Sequence, residues 1–198
     1  MPPDAETTGP GFITEKQEME IEKYSTPINF IIFQACWFAC VMGAANNLGW
    51  LGPLLVLITV PLQIHLLTEN HRTEILFVII CGISGALLET LMIVANVYTP
   101  VDQGWGQVCP PWMAALWFNF ALLVSISLAW LKGKYAAAVL LGALAGPVAY
   151  WGGERLGALT VTATFSRGYV ILAVMWALAL PLLVYLHDRL TVAKQAGN

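Results

Sequence analysis

Six apolar runs, each close to the length that carries an α-helix across a bilayer, dominate this chain: Ile28 to Ala45, Gly49 to Thr68, Ile75 to Asn96, Trp112 to Leu131, Tyr135 to Trp151 and Tyr169 to His187. Lipid offers no partners to backbone N–H and C=O groups, so such runs close their hydrogen bonds within themselves as helices. Charged residues make up 11% of the chain, against about 25% in a soluble domain. The expected fold is therefore all-α: a polytopic membrane protein with a bundle of about six transmembrane helices. With 198 residues in all, those helices leave little room for a soluble catalytic domain.

The ends differ from the middle. Asp4, Glu6, Glu15, Glu18, Glu20 and Glu22 against Lys16 and Lys23 give the first 27 residues a charge of −4, so the whole-chain −3 leaves +1 for the rest. Residues 1–26 read as an acidic cytoplasmic tail, partly disordered or a short helix, with Thr14 and Gln17 as a capping box. Residues 27–190 read as the six-helix transmembrane domain and 191–198 as a second short cytoplasmic tail. Thr26-Pro27 reads as an N-cap followed by proline at the first helical position of the first span. The segment 156–166, too short to cross, is expected to lie in the interface or fold back on the bundle.

Lysine and arginine accumulate on cytoplasmic loops. With both termini inside, the inner segments hold Lys16, Lys23, Arg72, Lys132, Lys134, Arg189 and Lys194, and the outer loops only Arg155 and Arg167. That distribution predicts an N-in, C-in topology. No basic stretch is long enough to track a phosphate backbone, so nucleic acid is excluded as a partner.

Other chemistries fall by counting. Cys36, Cys40, Cys81 and Cys109 form no disulfide framework, and Cys36 with Cys40 reads as a pair of small buried hydrophobes. His65, His71 and His187 are too few for a di-iron hydroxylase or desaturase. Gly82-Ile83-Ser84-Gly85 has the form of a rhomboid-protease serine motif, but Ser84 lies about 14 Å from the surface at which His187 sits, beyond hydrogen-bonding reach. His65, Glu69 and His71 read as an interfacial cap beside Arg72, so no metal and no cofactor is expected.

Glu89 is the most informative single residue. A carboxylate inside a span costs about 2.5 to 3.5 kcal/mol or more unless it is paired, protonated or wetted. It shares a helical face with Gly82, Gly85 and Ala86, a small-residue stripe that admits a neighbouring helix. The fifth run carries the same device in Gly142, Gly146, Ala149 and Gly153, and ends in Tyr150, Trp151, Glu154 and Arg155. Glu89 and Asn119 both fall about 10 Å below the outer ends of their spans. Gln34 and Gln63 make a second, neutral layer about 8 Å from the inner ends.

The stretches INFIIFQACWFACVMGAA at 28–45, PPWMAALWFNFALLVSISLAWL at 110–131 and GALAGPVAYWGGERLGAL at 142–159 resemble a family of small bacterial inner-membrane proteins of unknown function. The likeness runs over about residues 28–187 and is most specific in the last stretch. It implies a multi-pass protein of the bacterial inner membrane and carries over no catalytic residue.

The expected site is a polar pocket near the periplasmic face, with Glu89 as the candidate catalytic group and Asn119, Tyr150, Trp151, Glu154 and Arg155 as binding residues. The expected function is lipid handling, the binding or modification of lipid or fatty-acid groups, with membrane lipid as partner. The alternatives are a small-solute or proton-coupled transporter that protonates Glu89, and a non-catalytic accessory subunit whose small-residue faces meet partner membrane proteins.

Overall fold

The computed structural model describes the backbone of residues 15–162 and 164–195, and the side chains of 24–162, 164 and 166–192. Thr14 and most of the acidic tail lie outside the described residues. Six helices follow one another: α1 Glu15–Ala45, α2 Leu51–Leu67, α3 His71–Val94, α4 Pro111–Leu122, α5 Tyr135–Arg155 and α6 Phe165–Gln195. One antiparallel strand pair joins the loops after α3 and α5, with β1 Tyr98–Pro100 facing β2 Leu159–Val161. The end of the bundle that carries this pair is called the strand end below.

Four helical segments are long and apolar enough to cross a membrane: Tyr24–Ala45, His71–Val94, Tyr135–Arg155 and Ser166–Val192. Leu51–Leu67 and Pro111–Ser127 are shorter apolar helices. The surface has the inverse pattern of a soluble protein, with Leu57 71% and Leu144 69% exposed while Asn29, Gln63, Glu89 and Asn119 are each at most 3% exposed. Apolar side chains turned outward and amides turned inward are the signature of a bundle solvated by lipid.

The helices close as three hairpins, α1 with α2, α3 with α4 and α5 with α6, and glycines set each approach. A Cβ on Gly52 would sit 2.3 Å from the Cys40 Sγ. One on Gly85 would sit 2.0 Å from Trp117, and one on Gly146 would sit 2.2 Å from Trp176. The small-residue stripes therefore receive indole rings, which explains why they carry no side chains of their own. α4 occupies the middle, packed against α1, α2 and α3.

At the strand end α1, α3 and α5 finish with the same device. Asn47, Asn96 and Gly157 adopt φ of 60°, 56° and 82°. The following amides of Leu48, Val97 and Ala158 then reach back to the carbonyls of Gly43, Met92 and Gly153 at 2.7, 3.0 and 2.9 Å. This left-handed cap satisfies carbonyls that the helix leaves open.

Several boundaries differ from the sequence reading. α1 runs unbroken through Thr26-Pro27, so that pair is interior and not a helix start. Proline removes one N–H there, and the rest of the ladder carries on. α3 begins at His71, ahead of the apolar run, with the Asn70 side chain capping the Thr73 amide at 3.4 Å. The fourth run breaks: α4 passes into a π-helical turn at Leu123–Ser127 and a 3₁₀ turn at Ala129–Leu131. Ser127 Oγ bonds the Thr26 carbonyl at 3.0 Å and the Asn29 Oδ1 at 2.5 Å. Within segment 156–166, Leu159–Val161 folds back as β2, bound edge to edge with β1, and α6 already begins at Phe165.

Candidate functional site

Glu89 sits on α3 five residues before its end, about 8 Å below the strand end. Three donors from three later segments converge on it. Trp117 Nε1 of α4 donates to Oε1 at 2.8 Å, the Tyr150 hydroxyl of α5 donates to the same oxygen at 2.5 Å, and the Tyr98 hydroxyl of β1 donates to Oε2. The carboxyl is 3% exposed, and no basic side chain pairs with it among the described residues. Indole N–H groups only donate, so Oε1 accepts from Trp117.

The aromatic rings behind these donors form a wall. Tyr98 and Tyr150 are 5.2 Å apart between centroids. Trp117 stacks on Trp176 of α6 at 4.9 Å and 6°, and Phe120 packs edgewise against Trp176 at 5.1 Å. Burial pushes the Tyr98 phenol well above its ordinary range, with the neighbouring Tyr150 and Glu89 adding to the shift. Cys109, in the loop that leads into α4, is pushed up to about 12, first by burial and then by Glu89.

Tyr150, Trp117, Phe120 and Trp176 of this wall line a cavity of about 510 Å³ between α1, α4, α5 and α6, within the roughly 300–1,000 Å³ typical of small-molecule sites. Glu89 borders it near the strand end, and Phe33, Phe120, Leu128 and Leu180 continue it toward the far end. Its α5 side extends from Leu141 to Gly153, about 18 Å along the helix axis. Phe30, Val148 and Trp151 line it and are 51%, 64% and 49% exposed. The cavity is thus a groove that opens sideways onto the apolar perimeter. Gln34 lines it from α1 and Trp112 from α4, and the buried Trp112 Nε1 meets no acceptor among the described residues.

The sequence-derived residues fall at different places. Tyr150 bonds Glu89 directly, and Trp151 lines the groove at its rim. Asn119 is buried on α4, where its Nδ2 donates to the Phe33 carbonyl of α1 at 3.2 Å. Glu154 accepts from the Val161 amide at 2.9 Å and from the Tyr169 hydroxyl at 2.7 Å, tying α5 to β2 and α6. The Arg155 guanidinium is exposed and lies 5.8 Å from the Trp151 ring centroid, with no ion pair to Glu89.

A second polar layer exists toward the far end, with partly different members. Gln63 Oε1 accepts from Asn29 Nδ2 at 2.9 Å, and Asn29 Oδ1 accepts from Ser127. Gln34 is not part of it and faces the groove instead. Nearby, His187 and Glu74 pair at 2.8 Å between α6 and α3. Trp117 was legible as a partner for Glu89, since it lies about 9 Å down α4 from the strand end, the same depth. Tyr98 carried no such signal, because its position depends on the strand pairing.

Among comparisons with known proteins, a family model described as a protein of unknown function (DUF2878) matches residues 26–182. Neither the curated proteins nor the solved structures gave a match.

Proposed function

The chain belongs to this family of proteins of unknown function, DUF2878, so no activity comes to it by inheritance, and we propose from its own residues that it handles lipid within the bilayer. The observation that carries the reading is the groove, elongated, aromatic and open to the apolar perimeter, with a single carboxyl at its strand-end border. A soluble ligand would have to cross lipid to enter from the side, whereas a lipid chain needs only to slide in. The groove would hold a chain along Phe33, Phe120 and Leu180 and keep the headgroup near the strand end.

In this reading all six helices span a bacterial inner membrane, with both termini cytoplasmic and the strand end periplasmic. The excess of Lys and Arg on the opposite loops supports that orientation. Arg155, exposed beside Trp151 at the rim, would take an anionic part of the headgroup. The test is photo-crosslinking of the protein in nanodiscs with a phospholipid that bears a diazirine in its acyl chain. Adducts are expected on groove residues such as Phe120 and Leu141 and should disappear in Ala145→Trp, which fills the groove. Labelling spread evenly over the perimeter leucines and unchanged in that variant would sink the proposal.

A further inference from the structure

We infer that the groove selects an ammonium-bearing lipid, with the cationic nitrogen seated against Glu89 and the surrounding rings. The inference rests on the lipid-handling reading and deepens it by naming the headgroup chemistry.

Two independent features lead to it. First, Glu89 receives three donors and no cation. Its Oε1 and Oε2 are bonded by Trp117, Tyr150 and Tyr98, and the ion pairs among the described residues, Lys132 with Asp188 and His187 with Glu74, lie elsewhere. Carboxyl groups inside a membrane protein ordinarily pair with a cation or sit in a polar network. This one has only neutral donors and borders a cavity large enough for a ligand that would bring the cation.

Second, the walls are built for a cation and against an anion. The faces of indole and phenyl rings carry negative potential and attract ammonium groups. Trp37, Trp112 and Phe120 line the groove beside the stacked Trp117–Trp176 pair, and among the described residues no lysine or arginine does. A fatty acid or an acidic lipid would bring a second negative charge against Glu89 in a low-dielectric site, which costs more than it returns. An ammonium group is matched by both the carboxyl and the rings, while its chains match the rest of the groove. In a zwitterionic lipid the phosphate would lie toward Arg155 at the rim, one to two helical turns above Tyr150.

The experiment uses the full chain in a neutral maltoside detergent and follows tryptophan fluorescence. The probes are dodecyltrimethylammonium and dodecyldimethylamine N-oxide, which share a chain but differ in net charge. The ammonium probe is expected to bind at least tenfold more tightly than the N-oxide, and Glu89→Gln should abolish that preference by weakening the ammonium probe at least tenfold. Phosphatidylethanolamine should displace the ammonium probe, and phosphatidylglycerol should not. Equal affinity of the two probes for the unmodified protein overturns the inference without any variant, yet leaves the lipid groove standing. Binding of neither probe removes both readings. Failure of phosphatidylethanolamine to compete overturns the assignment to a bilayer lipid and points to a free lipophilic amine.

Discussion

Trp117 and Trp176 lie face to face at 4.9 Å, each on its own helix and each seated on a glycine of a third or fourth helix. Gly85 of α3 receives the first ring and Gly146 of α5 receives the second, so one stacked pair locks two hairpins together. The same Trp117 donates to Glu89, and the lock and the site therefore share a residue.

Substitutions at Glu89 should separate shape from charge. Glu89→Gln keeps an acceptor for the converging donors and should lower stability by less than about 1 kcal/mol. Glu89→Leu leaves Trp117 and the Tyr150 hydroxyl without their acceptor, and Tyr98 with only the main-chain carbonyl of residue 89 at 3.5 Å, and should cost about 3 kcal/mol. Tyr150→Phe, which removes one donor, should fall between the two. Thermal unfolding in a single detergent orders the three variants, and a leucine variant as stable as the glutamine one would contradict the network.

The glycine contacts predict intolerance to a single methyl group. A Cβ on Gly142 would meet the Trp176 carbonyl oxygen at 2.2 Å, a backbone atom that cannot swing aside. Gly142→Ala should therefore cost about 1 to 3 kcal/mol through overpacking. Gly106→Ala, where no atom lies within 4 Å, has no such clash and serves as the comparison, bearing only the strain of its φ of 61°. Melting temperatures of the two variants check this directly.

His187 and Glu74 hold α6 to α3, and the Glu74 Oε2 has no partner among the described residues. His187→Leu leaves the carboxyl 8% exposed and unpaired, with an expected loss of about 1 to 3 kcal/mol. Adding Glu74→Leu should restore part of it, because removing both partners is cheaper than orphaning one. A double-mutant cycle measures the coupling.

Cys109, with its thiol pushed up to about 12, should resist maleimide at neutral pH. Its thiolate fraction there is only about one part in 100,000. Cys36, Cys40 and Cys81 are fully buried and should also stay unlabelled. Detergent denaturation should make all four react, which mass spectrometry of the labelled chain counts.

The orientation is tested by reporter fusions. If the orientation proposed above holds, a fusion after Lys132 should report the cytoplasm and one after Asp102 the periplasm. The reverse pattern would place the strand end inside the cell and remove the periplasmic headgroup site.

The helices were legible because apolar length is a local property. Glu89 was legible as a buried group in need of company for the same reason. Its partners were harder: Arg155 was the attractive candidate by charge, but Trp151 holds it at the rim while neutral donors fill the space. Glu74 escaped notice because it precedes the apolar run, and only His187, 113 residues away, makes its burial sensible. The π-helical turn had no local signal at all, since it coincides with bonds from Ser127 to α1. Strand pairing between two loops 61 residues apart set Tyr98 and was equally invisible from sequence periodicity.

The three donors that satisfy Glu89 also fix when it can be satisfied. During synthesis the chain grows from its N-terminus, so α3 leaves the ribosome before Tyr98, Trp117 or Tyr150 has been made. Tyr98 and Trp117 follow with the next segments, but Tyr98 gains its strand partner only after Leu159–Val161 appears, beyond Tyr150. Until then the carboxyl has the Trp117 donor of its own hairpin and lacks that of Tyr150. A chain halted before α5 keeps the carboxyl short of its Tyr150 donor and of the strand pairing that sets Tyr98, so the site is complete only once the fifth helix and β2 have joined the bundle.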